Sequence, residues 1–267
     1  MSTKGDFRLG CDVGGTFTDF VLFDVTSGQI HIDKHLTTPA DPSVGILTGL
    51  KGFSRVAEDH VARTRLVAHA TTLVANAVIE RKGAKTALLT TRGFRDVLEL
   101  RRHVRVTTYE LWSDPPKPLV PRELRLPIDE RTYSDGSILR PVKREEIQDA
   151  VQHMQAAGVE AIAVAFLHSY VNPENEREAG RLLAELAPEI AVTLSSDVLP
   201  QIKEYERTST TVVNGYVKPL VRGYLKNLDD GLAAVGYTAP LRIMLSNGSL
   251  GSSEIAAEFP LRLIESG

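Results

Sequence analysis

The chain has a single cysteine, a single tryptophan and only 6% aromatic residues in 267 positions. The lone Cys11 excludes an intrachain disulfide, and within an apolar run it is expected to pack as a small buried residue. No apolar stretch approaches the length of a membrane span, and no charged-then-apolar leader opens the chain. The expectation is therefore a protein of the reducing cytoplasm with no membrane partner. Charge of one sign is also missing: 31 Lys and Arg stand against 34 Asp and Glu, a formal net charge of −3. No basic cluster is interleaved with aromatics, so nucleic acid is not an expected partner. The run Arg101-Arg102-His103-Val104-Arg105 reads as a solvated loop or a contact with a neighbouring domain. No Cys/His spacing suits zinc, no Gly-x-Ser-x-Gly elbow occurs, and no internal repeat is evident.

What is present is an ordinary globular composition, 42% hydrophobic and 24% charged. The length allows one large domain or two modest ones. Residues 8–36 read as three successive strands, an antiparallel meander at a sheet edge. A helix over Ser43–Val56, capped by Ser43, comes next, then a strand over Arg65–Ala68, a helix over Thr71–Arg81 and a strand over Lys85–Thr90. The order β-β-β-α-β-α-β thus falls within the first 90 residues. Four prolines between 115 and 121 mark an extended connection. Beyond it come a strand over Leu126–Tyr133, an Asp135-Gly136 turn, a helix over Lys143–Ala157, a strand over Val159–Phe166, a helix over Pro173–Leu186 and a strand over Ile190–Leu194. A long helix over 205–234 follows, with a bend expected near Gly215 and Pro219, then a strand over Leu241–Leu245 and a short helix over Ser252–Glu258.

The chemistry concentrates in Asp12-Val13-Gly14-Gly15-Thr16-Phe17-Thr18-Asp19, a tight turn between two strand-like runs. Paired glycines let backbone N–H groups approach a ligand. Thr16 and Thr18 add hydroxyl donors, and Asp12 and Asp19 offer the hard oxygens that Mg²⁺ prefers. A plain hairpin turn would also want glycine. Two threonines and two aspartates in the same eight residues favour a cradle for nucleotide phosphate.

Other segments are less specific. His69-Ala70-Thr71-Thr72 lies where a strand meets a helix, at the carboxyl end of a strand in an open sheet. His69 is a candidate acid/base or substrate contact, and a packed histidine beside a threonine helix cap explains the same residues. Asn76 points the same way as Thr72. The series Thr208-Ser209-Thr210-Thr211 disfavours a helix interior and suits either a solvated helix start or a polar face on a cleft or partner. Ser246-Asn247-Gly248-Ser249 is a tight turn or a ligand-facing loop. Asp96 and Glu99 read as exposed ion pairs with Arg92 and Arg95. His168 and Asn172 are candidates only through their place after a buried strand.

These segments, with the run from Ala77 to Asp96, the stretch Ala165-Phe166-Leu167-His168-Ser169-Tyr170 and the string Glu204-Tyr205-Glu206-Arg207 leading into Thr208–Thr211, resemble the hydantoinase A/5-oxoprolinase family. That family includes subunits of acetone and acetophenone carboxylases. The resemblance implies an α/β fold of the actin-like ATPase class, with a ribonuclease-H-like N-terminal domain and mixed sheet, plus a second α/β subdomain. It implies three regions: 1–118 as the ATPase domain with the phosphate hairpin, 119–240 as an inserted subdomain, and 241–267 as a strand and helix leading towards a second ATPase domain. It implies an ATP- and Mg²⁺-dependent hydrolase that opens a cyclic amide such as hydantoin, N-methylhydantoin or 5-oxoproline by phosphorylating it. Gly14, Gly15, Thr16, Thr18 and Asp19 would hold the nucleotide, Asp12 the metal, and Asp12, His69 and Thr72 would serve catalysis. Thr71 and Asn76 would line the same cleft. A hydantoinase B-type subunit would complete a hetero-oligomer. Two alternatives accompany this reading: an ATP-dependent ketone carboxylase subunit, and a non-catalytic module docking a partner through 101–125 and 204–216. Ala70 and Ser249 stand where the family usually has glycine, so those two loops are expected to differ in shape.

Overall fold

The structure, a computed structural model, describes residues 6–38, 41–104, 107–110, 112 and 116–266. Along the chain run β1 (Phe7–Val13), β2 (Phe17–Asp24), β3 (Ile30–Leu36), α1 (Pro42–Leu50), α2 (His60–Arg63), β4 (Thr64–Thr71), α3 (Leu73–Ile79), β5 (Thr86–Thr91) and α4 (Val97–Leu100). Then come β6 (Arg125–Ile128), β7 (Arg131–Thr132), β8 (Ile138–Arg140), α5 (Arg144–Ala156), β9 (Ala161–Ala165), α6 (Glu174–Leu186), β10 (Ala191–Leu194) and α7 (Ser195–Val198). The last elements are α8 (Glu204–Val235), β11 (Leu241–Met244), β12 (Leu250–Ser252) and α9 (Ser253–Glu258).

The chain divides into two compact units, one of Met1–Lys82 with Leu220–Gly267 and one of Gly83–Pro219. The first holds a six-stranded mixed sheet in the order β12-β11-β4-β1-β2-β3. The β1-β2-β3 meander is antiparallel and ends at an edge, as expected, while β4 and β11 pair parallel. Strand alternation decides what each side chain does. In β1, Phe7, Leu9, Cys11 and Val13 are buried while Arg8 and Asp12 face outward. The buried face packs on α1, and Gly49 is essential there. A Cβ at Gly49 would stand 2.5 Å from the Phe20 ring. The cap of α1 is Asp41 rather than Ser43. Its carboxylate accepts the Ser43 N–H at 3.0 Å, because Pro42 suits the first helical position and moves the cap one residue upstream of it. The helix is also shorter than its periodicity suggests, giving way to a 3₁₀ turn over Lys51–Arg55.

The second unit holds a four-stranded parallel sheet, β10-β9-β5-β6. Every residue of β5 and β9 is buried, which explains their unbroken apolar or Thr/Ala character. Pro127 lies in β6 at the sheet edge, where a missing N–H is tolerated. The strand expected over Leu126–Tyr133 is broken into β6 and the short β7, which forms a hairpin with β8 across Gly136 at φ +86°. The unit boundaries differ from those expected at 118 and 240. β5 hydrogen-bonds β6 and β9 on either side, so it belongs with the second sheet, and residues 220–240 belong with the first unit.

Candidate functional site

The turn between β1 and β2 is braced from behind. Gly14 N–H donates to Phe17 O at 3.0 Å, and Thr37, just past β3, donates its N–H to Thr16 O at 2.9 Å and its hydroxyl to Gly14 O at 3.0 Å. Thr72 N–H donates to Val13 O at 3.1 Å. The N–H groups of Gly15 and Thr16 make no hydrogen bond among the described residues. Neither glycine adopts positive φ, so conformational freedom is not what the turn requires. At Gly14 the demand is space, since a Cβ would press on Phe17 O at 3.1 Å; at Gly15 a Cβ would meet only Asn76 Nδ2, at 3.7 Å. The turn thus carries no side chain at Gly14 and Gly15, and the N–H donors of Gly15 and Thr16 are available to a ligand.

Thr18 does not contribute to that surface. It is fully buried, and its hydroxyl pairs with the Thr37 hydroxyl at 3.0 Å. The alternation of β2 turns it inward, so it stiffens the turn instead of presenting a donor.

Asp12 and Asp19 face each other across β1 and β2 on the outward side of the sheet. Partial desolvation, and then the charge of Asp19, raise the Asp12 carboxyl above its ordinary range. Asp19 is paired with Lys34 at 2.8 Å. A carboxylate strained by a like charge gains from a cation, and the donor set of Asp12 and Asp19 oxygens suits Mg²⁺. Among the described residues no cluster of three or more His, Cys, Asp or Glu could hold a metal by itself. A metal here would therefore draw its remaining ligands from water and phosphate.

Val13 points to the opposite side of β1, into a cavity of about 360 Å³ below the turn. Gly14, Gly15 and Thr37 form its roof, and Val13, Pro42, Leu73, Ala77 and Leu220 its apolar walls. α3 presents one polar face to it at helical spacing: Thr72, Asn76 and Glu80. Asn76 Nδ2 donates to Thr72 Oγ1 at 3.2 Å, and Glu80 closes an ion pair with Lys82 at 2.5 Å. Thr71 accepts the Leu73 N–H at 3.1 Å from the position before the helix cap, which is Thr72 and makes no side-chain capping bond. Thr37, Glu80 and Lys82 escaped sequence reasoning, because only the return of β3 and the turn of α3 bring them here.

His69 is not at this cavity. It is buried, with Nδ1 3.2 Å from Cys11 O and Nε2 2.7 Å from Tyr224 Oη. Burial pushes the imidazole down to about 4, against the opposing pull of the Cys11 carbonyl. The neutral ring donates from Nδ1 and accepts from the tyrosine hydroxyl. It packs β1 and β4 against α8, with both ring nitrogens engaged by protein groups. Cys11 is buried as expected, and burial followed by the charge of Asp12 pushes its thiol up to about 12. Of the catalytic, metal and nucleotide candidates with side chains near the turn, Thr72 reaches the cavity, Asp12 and Asp19 lie on the outer face beside a hollow that His69 also borders, and Thr18 is buried away from both.

The remaining candidates are structural. Ser246 is bonded to Arg262 O and Glu265 N–H, and Asn247 caps its own turn through Ser249. Ser266 donates to Thr71 O at 3.0 Å. Asp96 pairs with Arg122 and Arg125, and Glu99 with Arg125, rather than with Arg92 or Arg95. Asn172 bonds Gly136 O and Glu174 N–H, and His168 Nδ1 donates to Thr132 O at 2.9 Å. The Thr208–Thr211 run lies within α8, one turn past its start at Glu204, with Thr208 and Thr211 buried and Thr211 donating back to Arg207 O. No helix among the described residues is long and apolar enough to cross a membrane.

Residues 8–187 match the model of the hydantoinase/oxoprolinase N-terminal region, and residues 207–267 the hydantoinase/oxoprolinase model. The chain is 36% identical to caprolactamase subunit alpha of Pseudomonas jessenii, over 99% of this chain and 39% of that protein. It is 30% identical to 5-oxoprolinase of Saccharomyces cerevisiae, over 92% of this chain and 22% of the relative. Among solved structures, nucleotide-free acetone carboxylase superposes with a TM-score of 0.85 at 30% identity, over 98% of this chain and 39% of that one. The ATP-dependent caprolactamase of P. jessenii gives a TM-score of 0.85 at 37% identity, over 92% of this chain and 36% of that one. The chain thus spans about two fifths of the length of the first curated relatives it matches. The mixed sheet of the first unit and these superpositions agree with an actin-like ATPase N-terminal domain.

Proposed function

The chain belongs to the hydantoinase/oxoprolinase family, and from that premise we propose that it forms the phosphate-binding part of an ATP-dependent enzyme that opens a cyclic amide. The observation that carries the reading is the turn at Gly14–Thr16: two N–H donors, of Gly15 and Thr16, with no hydrogen bond among the described residues, next to an aspartate raised by partial desolvation and then by a like charge. The ATP-dependent caprolactamase among its relatives supports the same chemistry.

Gly15 and Thr16 would receive phosphate oxygens, and Asp12 with Asp19 would hold Mg²⁺ through water and phosphate. Bound ATP would supply a phosphoryl group to the amide oxygen, which makes the carbonyl carbon open to attack by water, so that the C–N bond breaks with the proton going to the ring nitrogen and a second water releases phosphate. The chain's own contribution is positioning and charge stabilisation. Thr37 and Thr72 hold the turn in shape. His69 keeps β1 and β4 in register without touching the reaction. A partner subunit in a hetero-oligomer fits relatives named as alpha, beta and gamma subunits.

A Gly15→Val replacement tests the reading on the full-length enzyme. Its Cβ meets only Asn76 Nδ2, at an ordinary contact distance of 3.7 Å, so the fold should survive, while the branched side chain covers the N–H donors. Isothermal titration should show ATP affinity falling at least about tenfold, a loss of ~1.4 kcal/mol. Unchanged affinity would remove the basis of the proposal. A carboxylase subunit is the second reading, supported by acetone carboxylase at 30% identity. Phosphate release on 5-oxoproline, hydantoin and caprolactam, against acetone with bicarbonate, separates the two.

A further inference from the structure

We infer that the cavity beneath the β1–β2 turn seats the neutral amide ring, not the nucleotide, and that Asn76 is the residue that reads the amide. The inference rests on the reading of the turn as a phosphate site and assigns the two ligands to its two sides. Three observations favour this division.

The first is wall chemistry. Val13, Pro42, Leu73, Ala77 and Leu220 present apolar surface, which suits the methylene arc of a small ring and gives nothing to a polyanion. The second is charge. Among the described residues the ionic groups lining the cavity are Glu80 and Lys82, and they already neutralise each other at 2.5 Å. A triphosphate entering here would meet a carboxylate and no uncommitted cation. A neutral ligand pays no such penalty. The third is size. About 360 Å³ lies at the lower end of the ~300–1,000 Å³ typical of small-molecule sites.

Within this space Asn76 is the one carboxamide. It is fixed by the α3 backbone, with its N–H donated to Thr72 Oγ1 and Glu80 one turn beyond it. A carboxamide carries both a donor and an acceptor, and so does a lactam or a ring imide. Pairing the two holds the ring in one orientation. A ketone offers an acceptor only, so it would leave the Asn76 carbonyl oxygen unpaired. Asn76 is therefore a specificity-determining residue, one that discriminates amide from ketone substrates by an unmet hydrogen bond.

The test is binding to the full-length enzyme, with caprolactam and 5-oxoproline as probes in ligand-observed NMR and ATP followed by isothermal titration. Asn76→Leu keeps a helix-compatible side chain of similar size and should weaken the lactam probe about tenfold, the worth of one to two hydrogen bonds. ATP affinity should stay within about twofold. Leu73→Ala enlarges the cavity and should shift preference from 5-oxoproline towards the seven-membered caprolactam; this variant keeps the idea testable if Asn76→Leu folds poorly. Three results overturn the inference: ATP weakening in step with the lactam in Asn76→Leu, neither ligand responding to either variant, or neither lactam binding the unmodified enzyme. If Gly15→Val leaves ATP binding intact while Asn76→Leu still weakens the lactam, the nucleotide reading fails and the assignment of the cavity stands.

Discussion

Both units gather polar residues at the carboxyl ends of their parallel strands, and they treat them in opposite ways. In the second unit most of the groups satisfy one another, with Arg207 Nε and Ser196 Oγ buried and left without a hydrogen bond. Thr91 donates to Glu130, which also accepts from Asn175 at 2.7 Å. Glu176 accepts from Phe166 N–H, Ser195 Oγ and Ser196 N–H. Arg207, entirely buried, bonds Ser169, Ser195 and Glu204 and stands 3.6 Å from Glu176. In the first unit the turn leaves two N–H donors without partners and sets Asp12 against Asp19. A buried network closed almost wholly on itself specifies packing. An uncompleted, reachable one is a place prepared for something else to bind. Location at strand ends is shared by both, so it does not by itself identify a site.

The largest effect expected from this contrast is at Arg207. Its replacement by Met leaves Glu176 buried without a cation, and loss of one partner of a buried pair costs about 3–5 kcal/mol. Urea unfolding should show the drop, and ATP affinity of the remaining folded protein should not change. A stability loss below about 1 kcal/mol would mean that the network is dispensable, and the contrast between the units would go with it.

The second prediction sharpens the comparison by showing that the first unit also has a closed polar set. His69 titrates near 4 when folded and at its ordinary 6.5 when unfolded. Between those values the unfolded chain binds the extra proton. Stability is therefore complete above pH 6.5 and declines as the pH falls towards 4, by roughly 3 kcal/mol in all. His60, also lowered by burial, acts with the same sign. A His69→Asn variant should start less stable and show a shallower decline over this window. An equal slope in the variant would show that the ring is not held neutral.

How much of this was legible in the sequence follows the same line between local and assembled features. Alternation and glycine turns are local, so the β1-β2-β3 meander, the buried run of β9 and the tight turn between β1 and β2 are read directly. The partners of β5 could not, because its all-buried pattern suits the centre of any parallel sheet and does not say which one. For the site, Gly15, Thr16, Asp12 and Thr72 follow from spacing. Thr18 and His69 were misjudged for one reason: a residue type suited to catalysis was weighed without the strand parity that turns it inward. Read against Val13, the alternation of β1 and β2 would have hidden Thr18. Glu80 and Lys82 belong to a surface-like Glu-Arg-Lys-Gly helix end, and nothing in that string points to a cavity.

The smallest expected effect is also the one with the unusual sign. Asp12 is more easily protonated in the folded protein than in the unfolded chain, because desolvation and Asp19 both disfavour its charge. The folded state therefore binds more protons just above the ordinary aspartate range, and stability falls as the pH rises through it. Asp12→Asn removes the repulsion at neutral pH. Because the side chain is reached by solvent, the gain should be only about 0.5 kcal/mol after screening, seen as a higher melting temperature at pH 7 and none at pH 3. Where removing Arg207 costs the second unit stability, removing Asp12 should return some to the first, as a position kept for ligand charge rather than for folding would. A loss of stability at pH 7 would make Asp12 a structural residue like those of the second unit and erase the distinction.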